Sequence, residues 1–211
     1  IFLRGSNSNH TLVKVNGVKI NPYTAGGASI NNIDPSLISR IEIGSGPFSA
    51  THGSEAIGGV INISTLPDQK DSSLQLSVSV GANNYRKENL QKNWVNKDNS
   101  LNIFLLNAKS EGFPSLINSS INSGYKNKSF GGSYASRKDK IKINISTWLS
   151  KGQTEYLDFQ SNPLSQNYEN SAYSLNYIFE HKDPYLVFLN LAASKDLINQ
   201  NQSNYLGQKD T

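Results

Sequence analysis

The residues with the chemistry of general bases and nucleophiles are three histidines, His10, His52 and His181, and a large stock of serines. Acyl transfer requires such a nucleophile within hydrogen-bond reach of its base, often on a strained strand-to-helix elbow. The three histidines lie in unrelated local settings with no elbow beside them, so no catalytic residue is expected. Gly44-Ser45-Gly46-Pro47-Phe48-Ser49 has the outline of a dinucleotide loop, but it lacks the third glycine and Pro47 stands where the helix would begin. Among carboxylates, Glu155 with Asp158 and Asp68 with Asp71 are the pairs placed to share a cation. Calcium takes about six to eight oxygens, so two carboxylates are too few, and neither a metal site nor a cofactor is expected. There is no cysteine, which removes thiol chemistry, disulfides and Cys-based zinc sites.

Of the 211 residues 36% are hydrophobic and 17% charged, while Asn and Ser together make up roughly a quarter. Uncharged polar residues therefore stand where a soluble globular protein carries surface charge. Membrane barrels with polar inward faces and secreted β-rich adhesins both have this balance. The net charge of +4 comes from scattered Lys and Arg without a basic block, which argues against a nucleic-acid partner. No stretch approaches the ~20 apolar residues of a membrane-spanning helix, and Ile1-Phe2-Leu3 reads as a strand already under way. The chain is expected to begin mid-domain.

Residues 1–66 hold most of the glycine turns between short apolar runs, as in a small, tightly turned mixed unit. Leu12-Val13-Lys14-Val15, Asn16-Gly17 and Val18-Lys19-Ile20 spell a hairpin, since Asn-Gly accepts the positive φ angles of a type I′ turn. Ile33 to Ile38 predicts a single helical turn with Asp34 as N-cap and Pro35 at its first position. Strands are expected at Ile41-Glu42-Ile43 and Val60-Ile61-Asn62-Ile63.

Past Pro67 the hydrophobic period becomes two. Leu74, Leu76, Val78, Val80 and Ala82 share one face; Ile141, Ile143, Ile145, Thr147 and Leu149 repeat the pattern, as do Tyr173 to Phe179 and Tyr185 to Ala193. Seven strands are counted between residues 73 and 199. Tight polar turns are predicted at 96–99, 137–140 and 181–184, with longer loops at 112–125 and 152–168. Tyr85, Trp94, Tyr134, Tyr177 and Tyr185 lie near strand ends, where girdles form at membrane interfaces. Strand length favours a membrane barrel, but a soluble sandwich alternates in the same way. The face of residues 74–80 discriminates: outward in a barrel, inward in a sandwich.

One segment carries a specific resemblance. Ile38-Ser39-Arg40-Ile41-Glu42-Ile43-Gly44-Ser45-Gly46-Pro47-Phe48-Ser49-Ala50-Thr51-His52-Gly53-Ser54-Glu55-Ala56-Ile57-Gly58-Gly59-Val60-Ile61-Asn62-Ile63 resembles the closing part of the plug in TonB-dependent outer-membrane receptors. Phe2-Leu3-Arg4-Gly5, Asn9 to Val13 and Asn16-Gly17-Val18 resemble an earlier plug motif in the same order. The likeness is nearest to the cobalamin-receptor branch. Ser45 stands where the family usually has Arg, and His52 where it commonly has Tyr.

The resemblance implies a mixed α/β plug fragment over residues 1–66, then the first seven or so strands of an antiparallel transmembrane β-barrel over 67–211, truncated at both ends. It implies import of a scarce large nutrient, a corrinoid or metal chelate, across a bacterial outer membrane. The implied partners are outer-membrane lipid, the nutrient, and a TonB-type energy-transducing protein acting through a segment before Ile1. By position in the resemblance, Tyr23, Thr24, Ala25, Gly26, Gly27, Ala28 and Ser29 face outward as ligand candidates, with His52 as a second site, and Arg4 anchors plug to barrel. The rival is a secreted or surface β-rich binding module of the adhesin kind.

Overall fold

In the computed structural model, which describes residues 3, 5–22, 27–65, 71–116, 119–158, 160–180 and 185–202, the alternating and glycine-rich regions form two separate sheets. The first is built around strands apolar on both sides. β1 (Thr11–Val15) turns at Asn16 and Gly17, whose φ angles are 51° and 82°, into the short β2 (Val18–Lys19), pairing Val15 with Val18. Only residues tolerant of positive φ fit both turn positions, as the Asn-Gly pair predicts. β3 (Arg40–Ser45) follows two 3-10 turns, Ile30–Asn32 and Pro35–Leu37. Asp34 caps the second, accepting a bond from the Ser36 N–H, with Pro35 at its first position as expected. The single turn α1 (Ser49–His52), which no sequence signal announced, leads into β4 (Gly59–Ser64).

The sheet order is β2-β1-β4-β3, with β1 and β4 parallel and β3 and β4 antiparallel. Leu12, Val13, Val15, Ile61 and Ile63 of the two central strands are buried, whereas Ile41 and Ile43 of the edge strand are exposed. Parallel pairing demands a long crossover, here residues 16–58, and burial on both faces.

The second sheet is antiparallel and sequential: β5 (Ser73–Gly81), β6 (Tyr85–Val95), β7 (Asn99–Ser110), β8 (Tyr125–Lys138), β9 (Ile141–Leu157), β10 (Pro163–Glu180) and β11 (Leu186–Gln202). Seven strands therefore span the alternating region among the described residues. Two expectations are corrected. The stretch 152–168 is not a long loop: β9 and β10 run on to Leu157 and from Pro163, leaving a short connection. Tyr85 is not a girdle residue, because it shares the inner face with Lys87 and lies over Gly81. Trp94 and Tyr134 do lie on the outer face, both in register with Leu101 near the short turns.

The four-stranded sheet sits against one face of this wall. Val13, Val15, Ile33, Leu37 and Ile63 form one buried cluster with Phe104, Leu106, Ala108, Trp148 and Ala172. Outside that cluster the face is mainly polar, with buried Asn93, Asn102, Asn127, Ser129, Ser146, Ser150 and Ser174 beside Leu164 and Tyr168. The opposite face is apolar and exposed: Leu74, Leu76, Val78 and Val80 are 66%, 70%, 61% and 78% accessible, and Leu105, Phe130 and Ile145 continue the band. The expected face of residues 74–80 is thus outward.

Candidate functional site

The polar inner face meets the smaller sheet through the loop of the two 3-10 turns, and the contact is made of hydrogen bonds. Asn32 ends the first turn and is buried. Its side-chain amide donates to Asn170 Oδ1 at 2.7 Å, and its backbone carbonyl accepts from Asn127 Nδ2 at 3.0 Å and Ser150 Oγ at 2.9 Å. The three partners come from β10, β8 and β9, at neighbouring positions in the register. Asn170 Nδ2 in turn donates to Asp196 on β11 at 2.6 Å. One loop residue therefore ties down a polar chain across four strands, and each buried amide finds a partner as burial requires.

Two residues further on, the Asp34 carboxylate accepts from Ser36 Oγ at 2.7 Å and from Lys87 Nζ of β6 at 2.5 Å. The pair is nearly enclosed, with Asp34 12% and Lys87 16% exposed. Burial pushes the Asp34 carboxyl up, but the hydrogen bonds from Lys87 and Ser36 outweigh it and hold the group below its ordinary value. Gln91 Nε2 donates to the Ser36 carbonyl at 3.1 Å. Residues 32–36 thus bridge β6 to β10.

The residues expected to bind ligand are not brought together. Tyr23, Thr24, Ala25 and Gly26 lie outside the described residues, as do Arg4 and His181. Gly27 lies against Ser8, and Ala28 packs on the main core. Ser29 borders a cavity of about 220 Å³ between the two sheets, with Asn21, Pro22, Trp148, Asn170 and Asp196. The Trp148 indole is 1% exposed and its N–H has no hydrogen-bond partner among the described residues. His52 lies elsewhere, on an exposed groove with Lys14, Glu42 and Asn62. Its Nδ1 is 2.7 Å from Thr51 Oγ1 and its ring meets Phe48 edge-on at 6.0 Å. Burial lowers the Lys14 ammonium in that groove from its ordinary value. Sequence reasoning missed Asn32, which no local pattern marks, and Lys87, Asn127, Ser150 and Asn170, whose only signal was polar residues recurring at inward positions of their strands.

Residues 1–60 match the family model of the TonB-dependent receptor plug domain. Over 192 residues, 88% of the chain, the sequence is 33% identical to a Vibrio vulnificus protein named vitamin B12 transporter BtuB, of which it covers 31%. The wall and the smaller sheet together resemble the crystal structure of the siderophore receptor PiuA from Acinetobacter baumannii, with a TM-score of 0.71 at 17% identity, covering 94% of this chain and 30% of that one. PirA of the same organism, also a siderophore receptor, gives 0.64 at 21% identity, covering 96% and 35%. The chain spans less than a third of the length of the curated relatives it matches.

Proposed function

We propose, for a chain that belongs to the TonB-dependent receptors of the bacterial outer membrane, that the protein imports a scarce large nutrient, a corrinoid or a metal chelate, on energy from an inner-membrane TonB-type partner. The observation that carries the reading is the inverted wall. Its exposed face carries an apolar band that crosses the strands from β5 to β11, and its buried face, where it is not packed on the core cluster, is rich in Asn and Ser. A sheet in lipid needs this arrangement, because its backbone groups pair only with neighbouring strands while the side chains meet hydrocarbon. A soluble sandwich needs the reverse, which weighs against the adhesin-like rival.

On this reading residues 1–66 are part of the plug and 67–211 the first strands of the barrel. The loop of Asn32, Asp34 and Ser36 fastens the plug to the wall, and Arg4 is a second anchor. Residues 23–29 are the ligand candidates on this reading and His52 a second one; Ser29 borders the cavity between the sheets, and His52 lies on a separate groove. The relatives named as a vitamin B12 transporter support the corrinoid over the chelate. No residue is given a catalytic role.

The test is uptake by cells carrying the full-length protein in a host without its own corrinoid receptor. Radiolabelled cyanocobalamin is expected to accumulate, and accumulation is expected to stop when the host's TonB is deleted. Recovery of the protein only in the soluble fraction, or uptake unchanged without TonB, overturns the reading.

A further inference from the structure

The cavity of about 220 Å³ between the two sheets lies beside the Asn32 contact, and the register sets its polar lining. On the inner face of the wall Ser150, Asn170 and Asp196 stand in one row across β9, β10 and β11, with Trp148, Ala172 and Ser194 in the next inward row toward the short turns. The Asn32–Asn170–Asp196 chain therefore borders the cavity on the side of the long connections. Ile20, Pro22 and Ser29 border it from the smaller sheet, and Ser29 is the last residue of the segment expected to meet ligand.

Most polar groups around the cavity already have partners. Asn21 Oδ1 accepts from the Val13 N–H at 2.7 Å, and its Nδ2 donates to the Thr11 carbonyl at 2.9 Å. Asn170 uses its oxygen on Asn32 and its amide on Asp196 Oδ1. The Lys195 ammonium is held by Glu169 at 2.7 Å. Among the described residues, two groups of opposite sense remain. The Trp148 indole N–H, on a side chain 1% exposed, has no hydrogen-bond partner, and an indole only donates. Asp196 keeps its second oxygen, and a carboxylate only accepts. The lining hydroxyls of Ser29, Ser171 and Ser194 serve in either sense.

A buried donor left unmet is costly, so an occupant that brings its acceptor is favoured. An anion would meet the Asp196 charge, and a simple cation would leave the indole unpaired. An uncharged group that carries an acceptor and a donor side by side satisfies both. We propose that the cavity is a subsite for a primary carboxamide arm of the imported nutrient, its carbonyl accepting from the Trp148 indole and its NH2 donating to Asp196 Oδ2. Ile20, Pro22 and the indole ring offer apolar surface to the methylene stem of such an arm. Corrinoids carry arms of this kind around their ring, so the site deepens the import reading and rests on it for the molecule that bears the arm.

The full-length receptor, labelled with 15N-tryptophan and purified in detergent, is titrated with propionamide, propionate or propylammonium while the Trp148 indole N–H resonance is followed by NMR. Trp148→Phe identifies that resonance by its loss. Propionamide is expected to move it downfield saturably and to bind about tenfold more tightly than either ion. In Asp196→Asn the oxygen kept for Asn170 leaves an NH2 toward the cavity, so the preference is expected to pass from propionamide to propionate. A resonance that none of the three probes moves marks a cavity holding water only and overturns the proposal, as does an equal response to all three or an unchanged preference in Asp196→Asn. The two readings fail separately. Uptake of cyanocobalamin with no propionamide response removes the site and leaves import standing, whereas a propionamide response without TonB-dependent uptake removes import and leaves the carboxamide site.

Discussion

The Asp34 carboxylate holds most of what can be tested at a single residue. Asp34→Asn keeps a side-chain acceptor for the Ser36 N–H but leaves the enclosed Lys87 ammonium without its charge partner. The expected cost is about 1–3 kcal/mol, that of stranding a largely buried charged donor. It is read as loss of hydrogen-exchange protection in residues 30–37 of the receptor in detergent. The pH dependence follows from the same contact. A carboxyl held below its ordinary value in the folded state stabilises that state above the unfolded value, about 3.9, and the stabilisation is lost as pH falls through the folded value. Protection of residues 30–37, corrected for intrinsic exchange, is expected to be flat from pH 7 to pH 5 and to fall below pH 4 in the native protein. In Asp34→Asn this acid step should be missing; a step of equal size there would assign it to another group. Half of this contact was legible in the sequence. Asp34 and Pro35 announce a cap, because capping is settled within three residues, but Lys87 reads only as one more polar position in an alternating strand. Its partner comes from 53 residues away, and nothing local encodes that.

At the scale of elements, strand identity followed from period two, whereas strand length did not. β9 and β10 extend through Lys151 to Leu157 and Pro163 to Tyr168, where the apolar face ends and the sequence looks like a polar loop. Backbone pairing there continues without hydrocarbon to face, so hydropathy stops signalling a strand before the hydrogen bonds do. Sterics at Gly131 govern how β7, β8 and β9 close on each other. A Cβ at that position would fall inside the Thr147 carbonyl oxygen of β9 and onto the Phe104 ring of β7, which is buried in the core between the sheets. Gly131→Val is therefore expected to lower stability by about 1–3 kcal/mol, seen as a lower temperature for heat-induced mobility change on a gel. Combining it with Phe104→Leu should recover only part of the loss, since the carbonyl clash remains. Complete recovery would place the whole effect on the ring.

For the whole molecule, the two-sheet division was legible as the change of period near Pro67, although residues 66–70 lie outside the described set and the boundary itself is a proposal. The docking of one sheet on the other was not legible, because it depends on which polar face the wall turns to the core, and a barrel and a sandwich share one pattern. The outward apolar band decides it, and the band can be tested directly. Leu105 is flanked in register by Leu90 and Phe130 on the exposed face. Leu105→Lys places a cation against hydrocarbon at a cost of up to about 2–4 kcal/mol at mid-membrane depth, and assembled receptor in the outer membrane should fall accordingly. Its neighbour Asn102 faces the polar interior, so Asn102→Ser should assemble at near-normal levels. The pair also separates the lipid-facing reading from a soluble one: in a soluble sheet Leu105, 47% exposed, would accept lysine with little effect, so normal assembly of Leu105→Lys would remove the membrane from the account of this fold.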